Sequence, residues 1–367
     1  MGNSTSSGEA CDVAVVGAGI VGAAVAARLA QRGLKVAVLE AQQVAGGATG
    51  RSAGIVTTGL PGYYTRAVQT FGREAARTLW ALTVEGRELL AEAARSLGVV
   101  WERTGSLLLA LTPEEAESLR MSAEMLREDG FAPHWEKRDP LGKGFLGALR
   151  WADDGVVDAA ALTCALLAST PVTVHSGTEA LGLETNADGI RIWAYRRTLR
   201  CSAVVLATNG YAPLLGKSLS RWTTPGYAWK GVTESASGSL PTPCLVDYGY
   251  VSLRPLSDGR LMVSAWRPPG AFSHDPDEAL RRRLARILRR YFPEAARRFP
   301  ERRSGIVGCT PDGIPVVGSL SQLPGVYFAL GLGGCGLNLA FVVAERLVNL
   351  LLDGTSPGIL GENRQGK

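Results

Sequence analysis

Two kinds of hydrophobic spacing alternate along this chain. Near the N-terminus, a β-branched run at residues 13–16 leads into an alanine-rich stretch that continues to about Gln31, and a second apolar run ends at Leu39. Short β-branched runs bounded by glycine predict strands, whereas the longer alanine-rich stretch predicts a helix. The chain therefore opens with a strand–helix–strand unit of the kind that builds a parallel sheet.

The rest of the chain mixes helical and strand patterns. Helical periodicity covers residues 66–98 and 113–129, and Asp158 stands at the N-cap position before an apolar helix at 159–168. A Ser-Asp-Gly turn at 257–259 predicts a hairpin. The predicted strands lie at 172–175, 180–184, 190–195, 203–207, 249–255, 260–265 and 326–330, and the last helix lies at 336–352.

Segments typical of a parallel nucleotide-binding sheet are thus separated by segments typical of an antiparallel sheet, and no repeat or linker divides the chain in two. This order favours two interleaved domains over two domains in tandem. The predicted fold class is α/β, with α+β character: a Rossmann-type βαβ domain interleaved with an antiparallel-sheet domain.

Composition narrows the class of protein. The 367 residues are 46% hydrophobic and 20% charged, which is an ordinary globular balance, and the net charge is +5. The densest basic cluster, at 281–290, alternates with leucines. This spacing predicts a helix with one apolar and one solvated face rather than a nucleic-acid-binding surface; the alternative is that the basic face binds an anionic partner. Six scattered cysteines and three histidines predict no metal site. With neither a signal peptide nor a membrane span in the sequence, we expect a cytoplasmic protein.

The most specific motif lies inside the opening unit. Gly17, Gly19 and Gly22 stand between the first strand and the helix, and Glu40 follows the second strand. In a dinucleotide site such glycines allow a tight turn, close approach to the pyrophosphate and close helix–strand packing, while the acid accepts the ribose hydroxyls. The helix N-terminus favours the diphosphate. These residues predict a bound dinucleotide.

Three further segments indicate which dinucleotide is bound. Residues 46–56 suit a loop that lies along a diphosphate, and the strand at 204–207 ends in a Thr-Asn-Gly turn that would reach the ligand. Near the C-terminus a second glycine-rich turn, at 331–336, opens a long helix. A nicotinamide enzyme needs one such turn, whereas a second helix dipole suits a flavin that gathers negative charge on reduction. We therefore predict FAD.

Taken in order, these motifs resemble the D-amino-acid oxidase superfamily, especially its glycine oxidase, sarcosine oxidase and γ-glutamylputrescine oxidase branches. The resemblance covers nearly the whole chain and includes Asp312-Gly313-x-Pro315. It implies an FAD domain at residues 10–65, 150–215 and 303–353, a substrate domain at 66–149 and 216–302, and frayed tails at 1–9 and 354–367. The residues then expected to contact FAD are Gly17, Gly19, Ile20, Val21, Gly22, Glu40, Ala41, Ala48, Thr49, Arg51, Ser52, Ala53, Ala180, Thr208, Asn209, Gly210, Asp312, Gly313, Gly333, Gly334, Cys335, Gly336, Leu337 and Asn338.

The chain departs from these relatives where they hold their substrates. Val307 stands where glycine-oxidase-like proteins place a carboxylate-binding arginine, and Asn338 stands where sarcosine oxidases use a lysine. Cys335 replaces a histidine of many relatives. The cysteine that links flavin covalently in sarcosine oxidases would fall near Gly305, so we expect FAD to be bound non-covalently. Cys309 and Cys335 are the less favoured candidates for a covalent link.

Either the substrate lacks a free α-carboxylate or another cation binds it. In the predicted strand 248–254, where relatives place substrate contacts, four side chains alternate onto one face: Tyr248, Tyr250, Ser252 and Arg254. Arg254 is therefore the candidate to bind a substrate anion, and Tyr250 is the candidate for a wall of the pocket. The alternative is that Arg254 faces outward or forms an ion pair with an acidic residue. The remaining candidates are Arg51 and Asn338, and, more weakly, Trp229, Lys230 and Trp266.

The resemblance implies oxidation of a C–N bond of an amine or amino acid to an imine, with dioxygen reoxidising the flavin to give hydrogen peroxide. A biosynthetic tailoring role would fit the altered substrate positions. The alternatives are a dehydrogenase that passes electrons to a quinone or a partner protein, a flavin-binding subunit without turnover, and an aromatic hydroxylase, which the Asp-Gly-x-Pro turn disfavours. The oligomeric state stays open.

Overall fold

The computed structural model describes residues 9–234, 240–270, 275–293 and 299–366, without the side chains of residues 276, 277, 335, 365 and 366. The helices are α1 Ile20–Gln31, α2 Ala48–Arg51, α3 Tyr63–Phe71, α4 Arg73–Ser96, α5 Pro113–Glu128, α6 Ala159–Ala168, α7 Pro276–Tyr291 and α8 Gly336–Asp353. The strands are β1 Glu9–Ala10, β2 Val13–Val16, β3 Val36–Leu39, β4 Ile55–Val56, β5 Trp101–Glu102, β6 Ser106–Leu109, β7 His134–Glu136, β8 Ala148–Trp151, β9 Gly155–Val157, β10 Thr173–His175, β11 Ala180–Asn186, β12 Gly189–Ala194, β13 Arg197–Cys201, β14 Ala203–Leu206, β15 Thr224–Val232, β16 Cys244–Val246, β17 Val251–Pro255, β18 Leu261–Arg267, β19 Glu301–Cys309, β20 Val316–Ser319 and β21 Val326–Leu330.

The predicted opening unit forms the centre of a six-stranded sheet with the order β10-β3-β2-β14-β21-β20. Its neighbouring strands are parallel except for the β20–β21 pair. Every residue of β2 and β3 is buried, because helices α1 and α8 cover one face and a smaller sheet, β1-β13-β12-β11, packs on the other. Such burial explains why these strands read as continuous apolar runs rather than as alternating patterns.

The second domain is a mostly antiparallel sheet of eight strands, β19-β15-β18-β17-β16-β6-β8-β7. Helix α7 covers one of its faces, and Leu280, Leu284 and Leu288 are buried there. The basic cluster at 281–290 therefore lies on an amphipathic helix, as its spacing predicted. The hairpin at 257–259 joins β17 to β18 and is also confirmed. Of the helices in the described ranges, none combines the length and the apolar character needed to cross a membrane.

Some expectations need correction. The periodic stretch 66–98 forms two helices, because Gly72 adopts a left-handed φ of 83° and ends α3 before α4 begins. Strand β19 crosses the expected domain boundary at residue 303 and pairs with β15 along its whole length.

The tails also differ from the expectation of fraying. Residues 1–8 and 367 lie outside the described residues, but Glu9 belongs to β1, which pairs with β13. At the other end Gly361 bridges to Val317, and Arg364 forms an ion pair with Asp312 at 2.9 Å. These contacts hold the described part of both tails against the FAD-type domain.

Helices α4 and α8 cross at very close range. A Cβ atom at Gly86 would lie 1.9 Å from the carbonyl oxygen of Asn338, so only glycine fits at this crossing. Because helix backbones cannot separate without losing the side-chain contacts around them, the crossing fixes α8 against the core.

We expect Gly86→Ala to lower the free energy of unfolding by at least about 2 kcal/mol, since the added methyl group meets backbone rather than a movable side chain. Urea unfolding followed by circular dichroism measures this change. Glu92→Ala, on the exposed side of the same helix, is the matched control and should change stability by less than about 0.5 kcal/mol. Equal stability of Gly86→Ala and the wild type would contradict the packing argument.

Candidate active site

A cavity of about 610 Å³ lies at the carboxyl ends of β2, β3 and β14. Ligands of open parallel sheets bind at this edge, where the strand order changes direction. The start of α1, the loop at 47–55 and the glycine turn at 332–337 complete the wall, and β19 lies opposite through Ile306 and Val307. Both domains therefore contribute to one cavity.

The first glycine turn has the close contacts that its motif predicts. Gly17 has a left-handed φ of 104°, and a Cβ atom there would lie 2.8 Å from the carbonyl oxygen of Ala207. A Cβ atom at Gly22 would lie 1.9 Å from the carbonyl oxygen of Gly17. Gly22 therefore allows α1 to pack on the turn, whereas Gly17 and Gly19 line the cavity itself.

Two polar side chains hold the N-terminus of α1. Thr49 Oγ1 accepts a hydrogen bond from the Ile20 amide at 3.0 Å, and Glu40 Oε2 accepts one from the Ala18 amide at 2.9 Å. The other oxygen of Glu40 accepts from the Gln42 amide at 2.9 Å. Glu40 is thus fixed at the cavity edge, where a carboxylate is suited to bind ribose hydroxyl groups.

The second glycine turn is attached to the first domain by Asn209. Its Oδ1 accepts hydrogen bonds from the amides of Gly331 at 3.0 Å and Leu332 at 3.2 Å. Asn209 has a left-handed φ of 49°, a conformation that asparagine tolerates better than most residues. This contact keeps the turn at 333–336 beside the cavity.

Two cations of the antiparallel sheet bind the carbonyl groups of the loop at 50–53. Lys230 Nζ donates to Gly50 O at 3.1 Å and to Ser52 O at 2.9 Å, and Arg254 Nη1 donates to Ala53 O at 2.8 Å. Burial lowers the pKa of Lys230, and the nearby positive charge of Arg303 lowers it further. Arg254 lines neither cavity described here, and its role in binding a substrate anion stays a prediction.

Arg51 remains beside the cavity. Its Nη1 donates to Gly46 O at 3.0 Å, and its guanidinium lies over Gly305, where a Cβ atom would be 2.4 Å from Arg51 Nε. Within the described residues, Arg51 Nε and Thr208 Oγ1 are buried without a hydrogen-bond partner. Two unpaired polar atoms at a cavity wall are typical of a site that binds a polar ligand.

A second, smaller chamber of about 50 Å³ lies behind the glycine turn and shares Gly334 with the large cavity. It is lined by the loop at 57–61, by side chains of β6, β8 and β16, and by the turn at 248–249. The sequence offered no motif for this chamber. Its lining residues are Thr57, Thr58, Gly59, Leu60, Pro61, Ser106, Leu108, Trp151, Leu245, Tyr248, Gly249 and Gly334.

Most residues expected to contact a flavin line the large cavity, although lining alone does not test their binding. They are Gly17, Gly19, Ile20, Val21, Glu40, Ala41, Ala48, Thr49, Arg51, Ser52, Ala180, Thr208, Asn209, Gly210, Gly333, Gly334, Gly336 and Leu337. The lining also includes residues that we did not predict, among them Gln42, Glu179, Tyr211, Leu214 and Ile306. Of these, only Gln42, Glu179 and Tyr211 stand directly beside predicted residues, and the sequence carries no signal for Leu214 and Ile306.

Other expected residues lie elsewhere. Asn338 is buried and its Nδ2 donates to Thr57 O at 2.8 Å and Gly59 O at 3.2 Å, so this nitrogen supports the loop at 57–59, and its expected contact with a ligand stays a prediction. Asp312, with Gly313 beside it, is bound by Arg364 outside the cavity. Ala53 offers its carbonyl to Arg254 and does not line the cavity. The side chain of Cys335 lies outside the described part of the structure.

The strand expected to face the substrate is also engaged with protein groups. Ser252 Oγ is 2.7 Å from Ser264 Oγ, and the Tyr250 ring packs on Trp266 with centroids 5.0 Å apart. Trp266 in turn contacts Gly333 and Gly334. Tyr250 therefore acts on the cavity wall through Trp266 and does not itself line either cavity.

The family model of the FAD dependent oxidoreductases named DAO matches residues 12–350. The chain belongs to this family. Glycine oxidase from Geobacillus kaustophilus is 27% identical over 343 residues, covering 87% of each chain, and γ-glutamylputrescine oxidoreductase from Escherichia coli is 26% identical over 373 residues, covering 93% of this chain and 83% of the other. The crystal structure of the Geobacillus glycine oxidase superposes with a TM-score of 0.80 at 23% identity, covering 96% of this chain and 98% of that one.

This DAO-family protein is an FAD-dependent oxidoreductase. Its large cavity fits the cofactor. The N-terminus of α1 and Thr49 meet at one end, with Glu40 fixed beside them. In the described residues, the buried Arg51 Nε and Thr208 Oγ1 have no hydrogen-bond partner within the protein. These are the group types that bind diphosphate, ribose and flavin heteroatoms.

We expect Arg254→Met to weaken FAD binding about tenfold or more, because it leaves the Ala53 carbonyl without its charged donor and loosens the loop at 50–53. Fluorescence titration of the apoprotein with FAD measures the dissociation constant. Arg260→Met removes an arginine of the same hairpin that forms ion pairs with the exposed acids Asp258 and Glu301, and it serves as the control. If Arg254→Met raised KM for the substrate and left FAD affinity unchanged, this result would contradict the loop-holding role and support direct binding of the substrate by Arg254.

Proposed function

We propose that this protein oxidises a small amine or amino acid to the corresponding imine and that dioxygen reoxidises the flavin, which yields hydrogen peroxide. The family match over residues 12–350, together with the motif residues gathered around one cavity, is the observation that carries this proposal. Water then hydrolyses the imine to a carbonyl compound and an amine or ammonia.

When bound, FAD would accept the hydride from the carbon that carries the amine nitrogen. The chain contributes binding and orientation. The N-terminus of α1 with Thr49 would bind the diphosphate, and Glu40 would bind the ribose. The antiparallel sheet, attached to the cofactor loop through Lys230 and Arg254, would cover the site and exclude water.

The chain needs no dedicated base for this reaction. A neutral amine transfers hydride once it is oriented, so positioning is the main catalytic contribution of the protein. The acids that line the large cavity, Glu40 and Glu179, lie at the end where the ribose is expected. This arrangement supports direct oxidation of an amine that binds in its neutral form.

The electron acceptor can be tested directly. With a substrate found by anaerobic bleaching of the flavin, we expect air to restore the oxidised flavin and release one hydrogen peroxide per turnover, measured with a peroxidase-coupled dye. Rapid reoxidation by a soluble quinone but not by air would instead identify a dehydrogenase. Flavin that no amine or amino acid bleaches would contradict turnover altogether.

We expect acid precipitation to release all of the FAD into the supernatant. Gly305 occupies the region where relatives carry a flavin-linking cysteine, and the Arg51 guanidinium fills the space above it. Burial raises the pKa of the nearby Cys309 thiol to about 11, which keeps this cysteine in its less reactive thiol form. Absorbance of the supernatant and pellet after denaturation measures the distribution, and yellow colour in a washed pellet would overturn the expectation.

A further inference from the structure

We propose that the small chamber behind Gly334 receives the substituent on the oxidised carbon and that Tyr248 sets the length of this substituent. The substrate is then an amine or amino acid whose side group is short and uncharged. This inference rests on the proposed function, because it assigns the chamber to the substrate of the same flavin site.

The position of the chamber links it to the cofactor. Gly334 lines both the large cavity and the chamber, so the two spaces adjoin at this glycine. The proposal places the substituent of a group held beside Gly334 in the chamber. A volume of about 50 Å³ accommodates only a few non-hydrogen atoms.

The lining favours an uncharged group. Leu108, Trp151 and Leu245 supply apolar surface, and no residue that lines the chamber in the described structure carries a charged side chain. The hydroxyl groups of Thr58 and Ser106 both donate to the buried Asp154, at 2.8 and 2.6 Å. Because these two donors are already used and the described lining has no charged side chain, a carboxylate or ammonium in the chamber would lose its hydration without gaining an oppositely charged partner.

One wall of the chamber is held rigidly. The Thr58 amide donates to Asp154 at 2.9 Å, the Gly59 amide donates to Thr83 Oγ1 at 2.9 Å, and Asn338 binds the carbonyls on either side of Thr58. Arg87 Nη1 lies 3.2 Å from Asp154 and offsets its buried charge. These contacts fix the shape of the wall before any ligand enters.

The opposite wall is a strained turn. Asp247 and Tyr248 both have left-handed φ values, 56° and 57°, and Tyr63, whose ring centroid lies 4.8 Å from that of Tyr248, has a φ of 66°. The Gly62 amide donates to Tyr248 O at 2.9 Å, and Arg267 and Arg283 both bind Asp247.

Non-glycine residues persist in such conformations only where the surroundings enforce them, and they concentrate at functional sites. Here the enforced conformation places Tyr248 in the chamber wall. Tyr248 is therefore the side chain whose size limits the depth of the chamber.

The test uses FAD-loaded protein and anaerobic flavin reduction with two series of compounds: linear alkylamines and α-amino acids with side chains of increasing length. Acidic and basic counterparts of each length are included. In Tyr248→Gly, which suits the left-handed backbone, we expect the preference for a four-carbon over a one-carbon side group to rise at least tenfold. Tyr248→Phe keeps the ring, so its preference for a four-carbon over a one-carbon side group should stay within about twofold of that of the wild type.

Leu108→Ala opens the other side of the chamber and should shift the preference in the same direction, so the assignment stays testable if Tyr248→Gly fails to fold. Tyr195→Ala, at an exposed position, is the control. As a readout independent of turnover, the dissociation constants of linear alcohols, measured through the flavin absorbance, should shift in parallel with chain length.

Unchanged length preference in both Tyr248→Gly and Leu108→Ala, with FAD bound, would overturn the chamber assignment. A wild-type preference for acidic or basic side groups would also overturn it. Both results can be obtained only if some compounds reduce the flavin. Failure of the proposed function looks different, because then no compound of either series bleaches the flavin in any variant.

Discussion

Both cavities depend on the peptide groups between residues 49 and 59. In the first half of this segment, Lys230 and Arg254 of the antiparallel sheet bind the carbonyls at 50, 52 and 53. In the second half, Asn338 of α8 and Asp154 bind the backbone around Thr58. Buried peptide groups must find partners, and here the partners come from both domains, so the loop holds the domains in register.

The elements that define the cofactor domain could be predicted because their signals are local. The glycines, the apolar runs and Glu40 lie within 28 residues, and each turn or strand follows from its own neighbours in sequence. The strand predicted at 203–207 is present as β14 and pairs with β2, where continuous apolar strands fill the centre of a parallel sheet. The N-cap at Asp158 is likewise confirmed by its hydrogen bonds to the Ala160 and Ala161 amides.

The substrate side could not be predicted in the same way. The alternation along β17 correctly placed Arg254 with Ser252 on one face, but it could not reveal that the nearest acceptor is a carbonyl 201 residues away. The same holds for Asn338, which binds carbonyls 279 and 281 residues away. A cation or an amide in a predicted site is as well suited to a backbone oxygen as to a substrate, and only the folded arrangement decides between them.

Arg51 and Gly305 share one volume, since a Cβ atom at 305 would overlap the Arg51 guanidinium. A side chain at 305, including a cysteine able to tether flavin, would therefore require the Arg51 guanidinium to move. Non-covalent cofactor binding would then depend on where the Arg51 side chain lies as well as on the lack of a thiol at 305.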